Sequence, residues 1–491
     1  MIKRLLIANR GEIAVRVART ALEMGIEPVG VYAESDDGAF HVGRIGHAVS
    51  LGPGSPRETY LSIPRILEAA REAGADAVHP GYGFLSESAA FASAVAGAGL
   101  LWIGPPASAI EQVGDKLAAR RRARRAGVPV IPGSDGSETS DEELLRKAKE
   151  IGFPLLVKPS AGGGGKGMTL VEEAARLPAA LEEARRVAEA AFGDSGVYLE
   201  RLIARPRHVE FQIFGDAQGN VVHLYERECS VQRRHQKIVE ETPSCALDAK
   251  LRAAMGRAAA EVARGAGYTG AGTVEFLLDE RKNFYFLEMN TRLQVEHPIT
   301  EETLGLDLVR AQLEIAAGET LPSDWRAGKL TPQGHAIELR LYAEDPRTYL
   351  PRSGRVLAWE SPCGPGVRVD SGVEEGSAVG LDYDPLLAKL VVSASSRESA
   401  LARARRAVRE WVVLGVETNL TLLDAVLSSE DFSSGRYATD LVSRLREPAP
   451  RPTPDAAWIA AALAFSQEKP GAAAVSRAEP WDAGTGWRVG T

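Results

Sequence analysis

The sequence predicts an α/β protein in three parts. A parallel sheet with its helices comes first, then a mixed α+β middle with a glycine-rich lid, then a mostly β final part. Three stretches carry this prediction. Residues 3–8, 13–24 and 27–32 read strand, helix, strand, the pattern of a parallel βαβ unit. Residues 160–167 (SAGGGGKG) lie between two strand-like runs, 153–159 and 168–171, and so read as a flap between antiparallel strands. From residue 334 the run GHAIELRLY alternates with a period of two and opens a segment of strands and Gly/Pro turns, which ends in a helix over 397–411.

Composition narrows the class. A chain of 491 residues can bury a large core in two to four domains. Its net charge of −8 argues against nucleic acid or an anionic membrane as the main partner. The three cysteines, Cys229, Cys245 and Cys363, form no CxxC, so a reducing compartment and a cytoplasmic location are expected. No signal peptide is read at the start, and no apolar run reaches the ~20 residues of a spanning helix.

In chain order, the first turn reads NRGEIAV rather than GxGxxG, which excludes a dinucleotide site of the usual kind. Later strands are expected at 76–79 and 100–103. Between them, HPGYGFLSE (79–87) is a Gly/Pro-rich loop at the carboxyl edge of the sheet, where α/β proteins bind ligands. Residues 115–126 form a basic helix whose arginines read as a solvated face. Lys116, in its first turn, opposes the helix dipole and calls for a nearby phosphate. A flexible polar connector (134–140) precedes a helix over 142–151. Gly162, Gly163, Gly164 and Gly165 cost chain entropy and belong where backbone moves or lies against a ligand. No helix follows them and no Ser/Thr follows the lysine, so this is not a Walker A loop. With Lys158 and Lys166 on either side, it reads as a lid over a triphosphate.

Residues 197–203 read as a strand whose edge backbone can hydrogen-bond a nucleotide base, with Glu200 on the base or ribose. Residues 208–214 and 221–226 form a hairpin. The loop QRRHQK (232–237) after it is a cationic cluster on an acidic protein, read as an anion site. A helix over 250–266 leads to a second hairpin, 273–278 and 284–290. If Asp279 pairs with Phe284 around a four-residue loop, Glu275 lies opposite Glu288, and Asn290 shares their face. Two carboxylates and an amide oxygen suit Mg²⁺ or Mn²⁺ held with phosphates; the other reading is a hairpin whose solvent face carries acids. Arg292, Gln294, Glu296 and His297 follow within a few residues, an assortment that favours a site. A helix over 308–317 and a linker over 321–331 complete the middle part.

The ordered set IANRGEIAVR, HPGYGFLSE, VKPSAGGGGKGM, ECSVQRRHQK, EMNTRLQVEHP and HAIELRLYAEDP resembles biotin carboxylase over residues 2 to about 445. The resemblance implies a Rossmann-like N-terminal domain (1–114), an ATP-grasp domain (115–330, lid about 132–203) and a mostly β C-terminal domain (331–446). It implies that Lys116, Lys158, His208, Gln232 and His235 contact ATP under the Gly162–Gly165 flap, with Glu200 and the backbone to Ile203 on the adenosine part. Glu275, Glu288 and Asn290 would hold two divalent cations, Mg²⁺ or Mn²⁺. Lys237, Arg292, Gln294 and the Val295 backbone would bind bicarbonate, and Glu296 would be its general base. Arg340 would stabilise the biotin enolate and Tyr82 would line the biotin pocket. The implied partners are a biotin carboxyl carrier domain, a carboxyltransferase subunit and a second copy of the chain.

No Ala-Met-Lys-Met biotin-attachment site occurs, so biotin is expected free or on a separate domain. Residues 447–491 are expected to be a Pro-rich linker and the start of a following domain. Within them, EPWDAGTGWRV (479–489) resembles the region after biotin carboxylase in α subunits of the 3-methylcrotonyl-CoA or propionyl-CoA carboxylase type, so the chain is expected to be the N-terminal piece of such a subunit. Two alternatives stay open at this level: another ATP-grasp ligase, and a nucleotide-binding module without catalysis. Cys229, amid the anion loop, is expected to be a small buried hydrophobe.

Overall fold

The computed structural model describes residues 2–136, 138, 140–160, 167–445, 458, 459 and 463. The expected glycine flap (Gly162–Gly165, with Lys166) therefore lies outside the described residues, as does nearly all of the expected tail segment. The chain divides into two units, residues 1–446 and residues 447–491.

The first part is the expected parallel sheet. Strands β1 (Arg4–Ile7), β2 (Glu27–Tyr32), β3 (Ala48–Ser50), β4 (Ala77–His79) and β5 (Leu101–Trp102) lie in the order β3-β2-β1-β4-β5 and are all parallel. Its inner strands β1 and β4 are buried on both faces. Leu5 and Ile7 enter one core while Leu6 and Ala8 enter another, as a parallel sheet with helices on both sides requires. The loop leaving β4 is pinned by Asn9, whose Nδ2 donates to the Pro80 and Tyr82 carbonyls at 2.7 and 2.8 Å. Gly81 sits at φ +63° and a Cβ there would meet Asn9 at 2.9 Å, so the loop needs glycine.

Three antiparallel strands, β6 (Leu155–Pro159), β7 (Thr169–Val171) and β8 (Val197–Arg201), form the lid. Helix Asp141–Ile151 starts from a capping box between Ser140 and Glu143. It and helix Leu177–Phe192 give the lid its own core around Leu144, Val157, Leu181 and Leu199. The connector read as flexible begins on a fixed point. Ser134 is fully buried, and its Oγ accepts from the Leu199 N–H at 2.8 Å.

An eight-stranded antiparallel sheet dominates the rest: β9 (Arg207–Gly215), β10 (Val221–Arg233), β11 (Gln236–Thr242), β12 (Gly270–Leu278), β13 (Phe284–Asn290) and β14 (His335–Tyr342), followed further along by two more strands. The final part adds β15 (Gly354–Arg355), β16 (Ala358–Glu360), β17 (Val367–Ser371), β18 (Ala378–Val379), β19 (Leu386–Ala394) and β20 (Val412–Leu414). The order β13-β12-β9-β10-β11-β14-β19-β17 carries the sheet without a break across the division expected at residue 330.

The period of two sorts its faces. Val274, Phe276, Val209, Phe211, Ile213 and Phe286 enter a core under helix Ala249–Gly265, while Ile337, Leu339, Leu341, Leu390 and Val392 enter a second one under helix Arg397–Glu410. The opposite faces carry the charged residues.

Two local readings are corrected. The cationic stretch 232–237 is a tight hairpin rather than a loop: Arg233 pairs with Gln236, and Arg234 and His235 both take positive φ, 47° and 66°, as a two-residue turn between twisted strands demands. The stretch 321–331 is not a plain linker, since it holds helix Ser323–Arg326 and buries Trp325 against Phe214.

Glu241 ties β11 to the final part. Its carboxylate takes Arg397 Nε and His335 Nε2 at 2.8 Å and the Tyr437 hydroxyl at 2.5 Å. Burial opposes this charge, but His335 and Arg397 outweigh it and hold the carboxyl at about 2. A lowered native pKa contributes stability that is present above the ordinary carboxylate value and lost as pH falls toward 2. Glu241→Gln should therefore cost about 3 kcal/mol at pH 7, the low end for breaking a buried pair. It should also flatten the loss of stability between pH 4.5 and 2, read by urea denaturation across that range.

Candidate active site

The face of β13-β12-β9-β10 away from the core meets the lid and the β4 loop around a cleft of about 1260 Å³. Every described residue given a role by the resemblance lines it except Glu296: Lys116, Lys158, Glu200, Ile203, His208, Gln232, His235, Lys237, Glu275, Glu288, Asn290, Arg292, Gln294, Val295, Arg340 and Tyr82. His297, the last of the assortment after the hairpin, is fully buried outside the cleft lining, its Nδ1 2.8 Å from the Gln294 carbonyl. Glu296 lies fully buried behind Lys237 and Arg340.

The acidic hairpin has the expected cross-strand pair, by a different route. Leu278, not Asp279, pairs with Phe284, so the loop has one residue more than expected. A bulge between the Glu275 and Phe276 pairs absorbs it, and Glu275 again faces Glu288 while Thr273 faces Asn290. Asn290 Nδ2 donates to Glu275 Oε1 at 2.8 Å, and His208 Nε2 lies 2.9 Å from Glu275 Oε2. Burial and the facing Glu275 charge push the Glu288 carboxyl up. A buried and a half-buried carboxylate that repel across a strand pair, beside an amide oxygen, are a donor set that fits a hard divalent cation.

Lys237 is the centre of the site. Its Nζ lies 2.5 Å from Glu210, 2.9 Å from Glu275 and 2.7 Å from Glu296. Burial disfavours the ammonium, but the three carboxylates outweigh it and hold it charged. Glu296 uses both oxygens, Oε1 on Lys237 and Oε2 on Arg340 Nη2 at 2.8 Å. Burial opposes its charge too, yet Lys237 and Arg340 keep the carboxyl well below its ordinary range. Arg340 Nη2 also lies 2.6 Å from Glu240, directly opposite Glu338 on β14. Arg292 is aimed by Glu87, whose Oε2 accepts from Nε at 3.0 Å while Oε1 accepts from the Thr291 N–H at 3.1 Å.

At the lid side, Glu200 is buried between Arg120 (2.5 Å) and Lys158. The carboxylate expected on the base or ribose is thus held by two cations. Cys229 is fully buried, 3.8 Å from Glu296, and burial pushes its thiol up, which fits the inert role expected.

Glu210, Glu240, Arg120 and Glu338 were not legible as site residues. Glu210 had a signal, since it sits two residues from His208 on the same strand face. Glu87 closed a quoted motif without a role. Glu240 shows its place only once β11 and β14 pair.

A two-lobed cleft with a small antiparallel lid over an acidic sheet face defines an ATP-grasp ligase. The family model for the carbamoyl-phosphate synthase L chain ATP-binding domain matches residues 115–324. The models for the biotin carboxylase N-terminal and C-terminal domains match 1–110 and 338–444. The chain is 47% identical to a biotin carboxylase of Halalkalibacterium halodurans, over 90% of this chain and 98% of the relative. It is 48% identical to the mitochondrial methylcrotonoyl-CoA carboxylase subunit alpha of Arabidopsis thaliana, of whose length it spans 60%. A crystal structure of the Campylobacter jejuni biotin carboxylase with a βγ-ATP ligand matches with TM-score 0.87 and 43% identity, over 90% of this chain and 99% of that one. The biotin carboxylase domain dimer of Hydrogenobacter thermophilus 2-oxoglutarate carboxylase, with MgADP, ADP and bicarbonate, matches with TM-score 0.86 and 43% identity, over 90% and 97%. The chain belongs to the biotin carboxylase family.

Removing the shared ammonium should change how stability follows pH. In Lys237→Met the carboxyls of Glu210, Glu275 and Glu296 lose a cation and titrate higher. A raised native carboxyl pKa gives stability that is lost as pH rises. The drop in Tm relative to the parent should be larger at pH 8 than at pH 6, read by thermal denaturation at both.

Proposed function

We propose that this chain carboxylates biotin with ATP and bicarbonate, as the first half-reaction of a biotin-dependent acyl-CoA carboxylase. The observation that carries the assignment of roles is the double hold on Glu296: one cation, Lys237, also contacts Glu275 of the acidic hairpin, and the other, Arg340, comes from β14 and also lines the cleft. A carboxylate neutralised twice is a weak base. It becomes competent when a bound anion draws Lys237 away, so deprotonation waits for bicarbonate.

Bicarbonate then lies between Lys237, Arg292, Gln294 and the Val295 backbone, with Arg292 oriented by Glu87. Glu296 takes its proton, and the freed oxygen attacks the γ-phosphorus as ADP leaves, giving carboxyphosphate. Lys116, Lys158, His208, Gln232 and His235 hold the nucleotide, and the backbone to Ile203 meets the base. Glu275, Glu288 and Asn290 would hold Mg²⁺ or Mn²⁺, which when bound neutralises phosphate charge. Carboxyphosphate breaks into CO₂ and phosphate inside the closed cleft, where water is kept from both. The phosphate takes the biotin N1′ proton, Arg340 holds the developing enolate oxygen with its fork of donors, and N1′ attacks CO₂.

The substrate arrives on a carrier domain and the carboxyl group leaves to a carboxyltransferase subunit. The relatives are biotin carboxylase subunits, or domains of larger carboxylases, and pairing of two copies is proposed from the dimeric Hydrogenobacter domain.

Two variants test the roles. Glu296→Gln should lower bicarbonate-dependent ADP release by about 100-fold or more, the scale of a lost general base; near-normal turnover removes its assignment. Arg340→Ala should lower biotin carboxylation by about 100-fold, as for a lost oxyanion donor, while sparing more of the bicarbonate-dependent ATPase. Equal losses in both reactions contradict an enolate-specific role.

A further inference from the structure

β19 carries a lysine that none of these roles uses. Lys389 is fully buried. Its Nζ donates to the Val295 carbonyl at 2.9 Å, lies 3.2 Å from Glu12 Oε1, and stands 5.9 Å from the centre of the Tyr82 ring. From β19, the strand that pairs with Arg340, one ammonium thus reaches the first turn of helix Gly11–Glu23 and the loop that ends on Glu296. These pieces come from the three segments matched by the three family models.

A buried lysine is an expensive way to fill space. A well-packed apolar side chain of similar volume is often as stabilising or more so, which makes the polar group itself the thing to explain. Its surroundings are unusually acidic for a sealed site. Asp370 and Arg340 pair with Lys389 on the neighbouring strands, and buried Glu338 sits two residues before Arg340. Burial pushes the Glu12 carboxyl up to about 7 against the pull of Lys389. Both carboxylate oxygens of Glu12 and of Glu338 lack a well-directed hydrogen bond among the described residues. Among the described residues, the one well-directed bond of the Lys389 side chain is to the backbone of the proposed bicarbonate loop. The carbonyl it holds belongs to the peptide that joins Val295 to Glu296. Fixing that peptide plane fixes the chain on both sides: the Val295 backbone toward the anion and the point where the base leaves the main chain.

We infer that Lys389 is a positioning residue for the bicarbonate step, holding the Val295–Glu296 peptide from behind so that anion and base meet in register. The inference rests on the bicarbonate role proposed above for this loop. Lys389 reaches bicarbonate through the Val295 carbonyl and contacts none of the residues assigned to the nucleotide, so its loss acts on bicarbonate more than on ATP.

The test is steady-state kinetics on the full chain. In Lys389→Met the KM for bicarbonate should rise about tenfold, the loss expected of one charged hydrogen bond, while the KM for ATP stays within about twofold. Lys389→Arg, which keeps a donor, should recover part of the bicarbonate KM. Glu12→Gln, which leaves the Val295 bond in place, should stay near the parent. Should Lys389→Met fail to fold because Glu12 loses its cation, the Glu12→Gln/Lys389→Met double variant carries the same expectation. A parallel rise in both KM values, or an unchanged bicarbonate KM with a lowered Tm, overturns the inference and leaves Lys389 a stability role. A parent chain that hydrolyses ATP without regard to bicarbonate overturns the underlying reading first, and this inference with it.

Discussion

One ammonium shared by three buried carboxylates sets the terms for this molecule. Lys237 stands within 2.9 Å of Glu210, Glu275 and Glu296, and each of those acids belongs to a different task. Glu275 is half of the acidic hairpin, Glu296 is the proposed base, and Glu210 binds the fully buried Arg227 at 2.6 Å, fixing the sheet. Arg227 in turn reaches Gln212, Thr273 and Thr300. Burying so many charges is tolerable only if each finds a partner, so the polar face must be assembled as a set. Binding a charged ligand in it means exchanging partners rather than adding a charge. On the proposed roles, this lets Glu296 act as a base although it is held below its ordinary range: its cations are also the groups that bicarbonate and biotin would claim.

The same constraint explains why one sheet crosses the whole catalytic unit. The acidic hairpin and Arg340 sit on strands far apart in sequence, yet a single antiparallel sheet sets them in a fixed register on one side, with apolar cores on the other. The strands on either side of the division near residue 330 pair directly, Glu240 opposite Glu338. Lys389 adds a tie from the first helix to the loop that ends on Glu296. The lid stands apart in this respect, with a core of its own.

Much of this was legible in the chain, for physical reasons that can be named. Strand periodicity put Glu288 and Asn290 on one face, and hairpin pairing put Glu275 opposite. The length of the turn was not legible, because a bulge at Glu275 compensates for the longer loop and a bulge leaves no clear mark in a single sequence. The stretch 232–237 looked like a loop because arginine, histidine and glutamine are not typical turn residues. Its positive φ values at Arg234 and His235 are imposed by the strands on either side. Glu240, Glu338 and Lys389 were invisible for another reason. A charged residue on an alternating strand reads as solvent-facing, and only tertiary packing reveals that the second face of this sheet is buried as well.

The reaction proposed for this chain couples ATP cleavage to carboxylation of biotin. The most direct measurement is ADP release by the purified chain with Mg-ATP, with and without bicarbonate and free biotin. Release should require bicarbonate and rise when biotin is added. Turnover indifferent to biotin, or nucleotide binding without turnover in the presence of both, would contradict it.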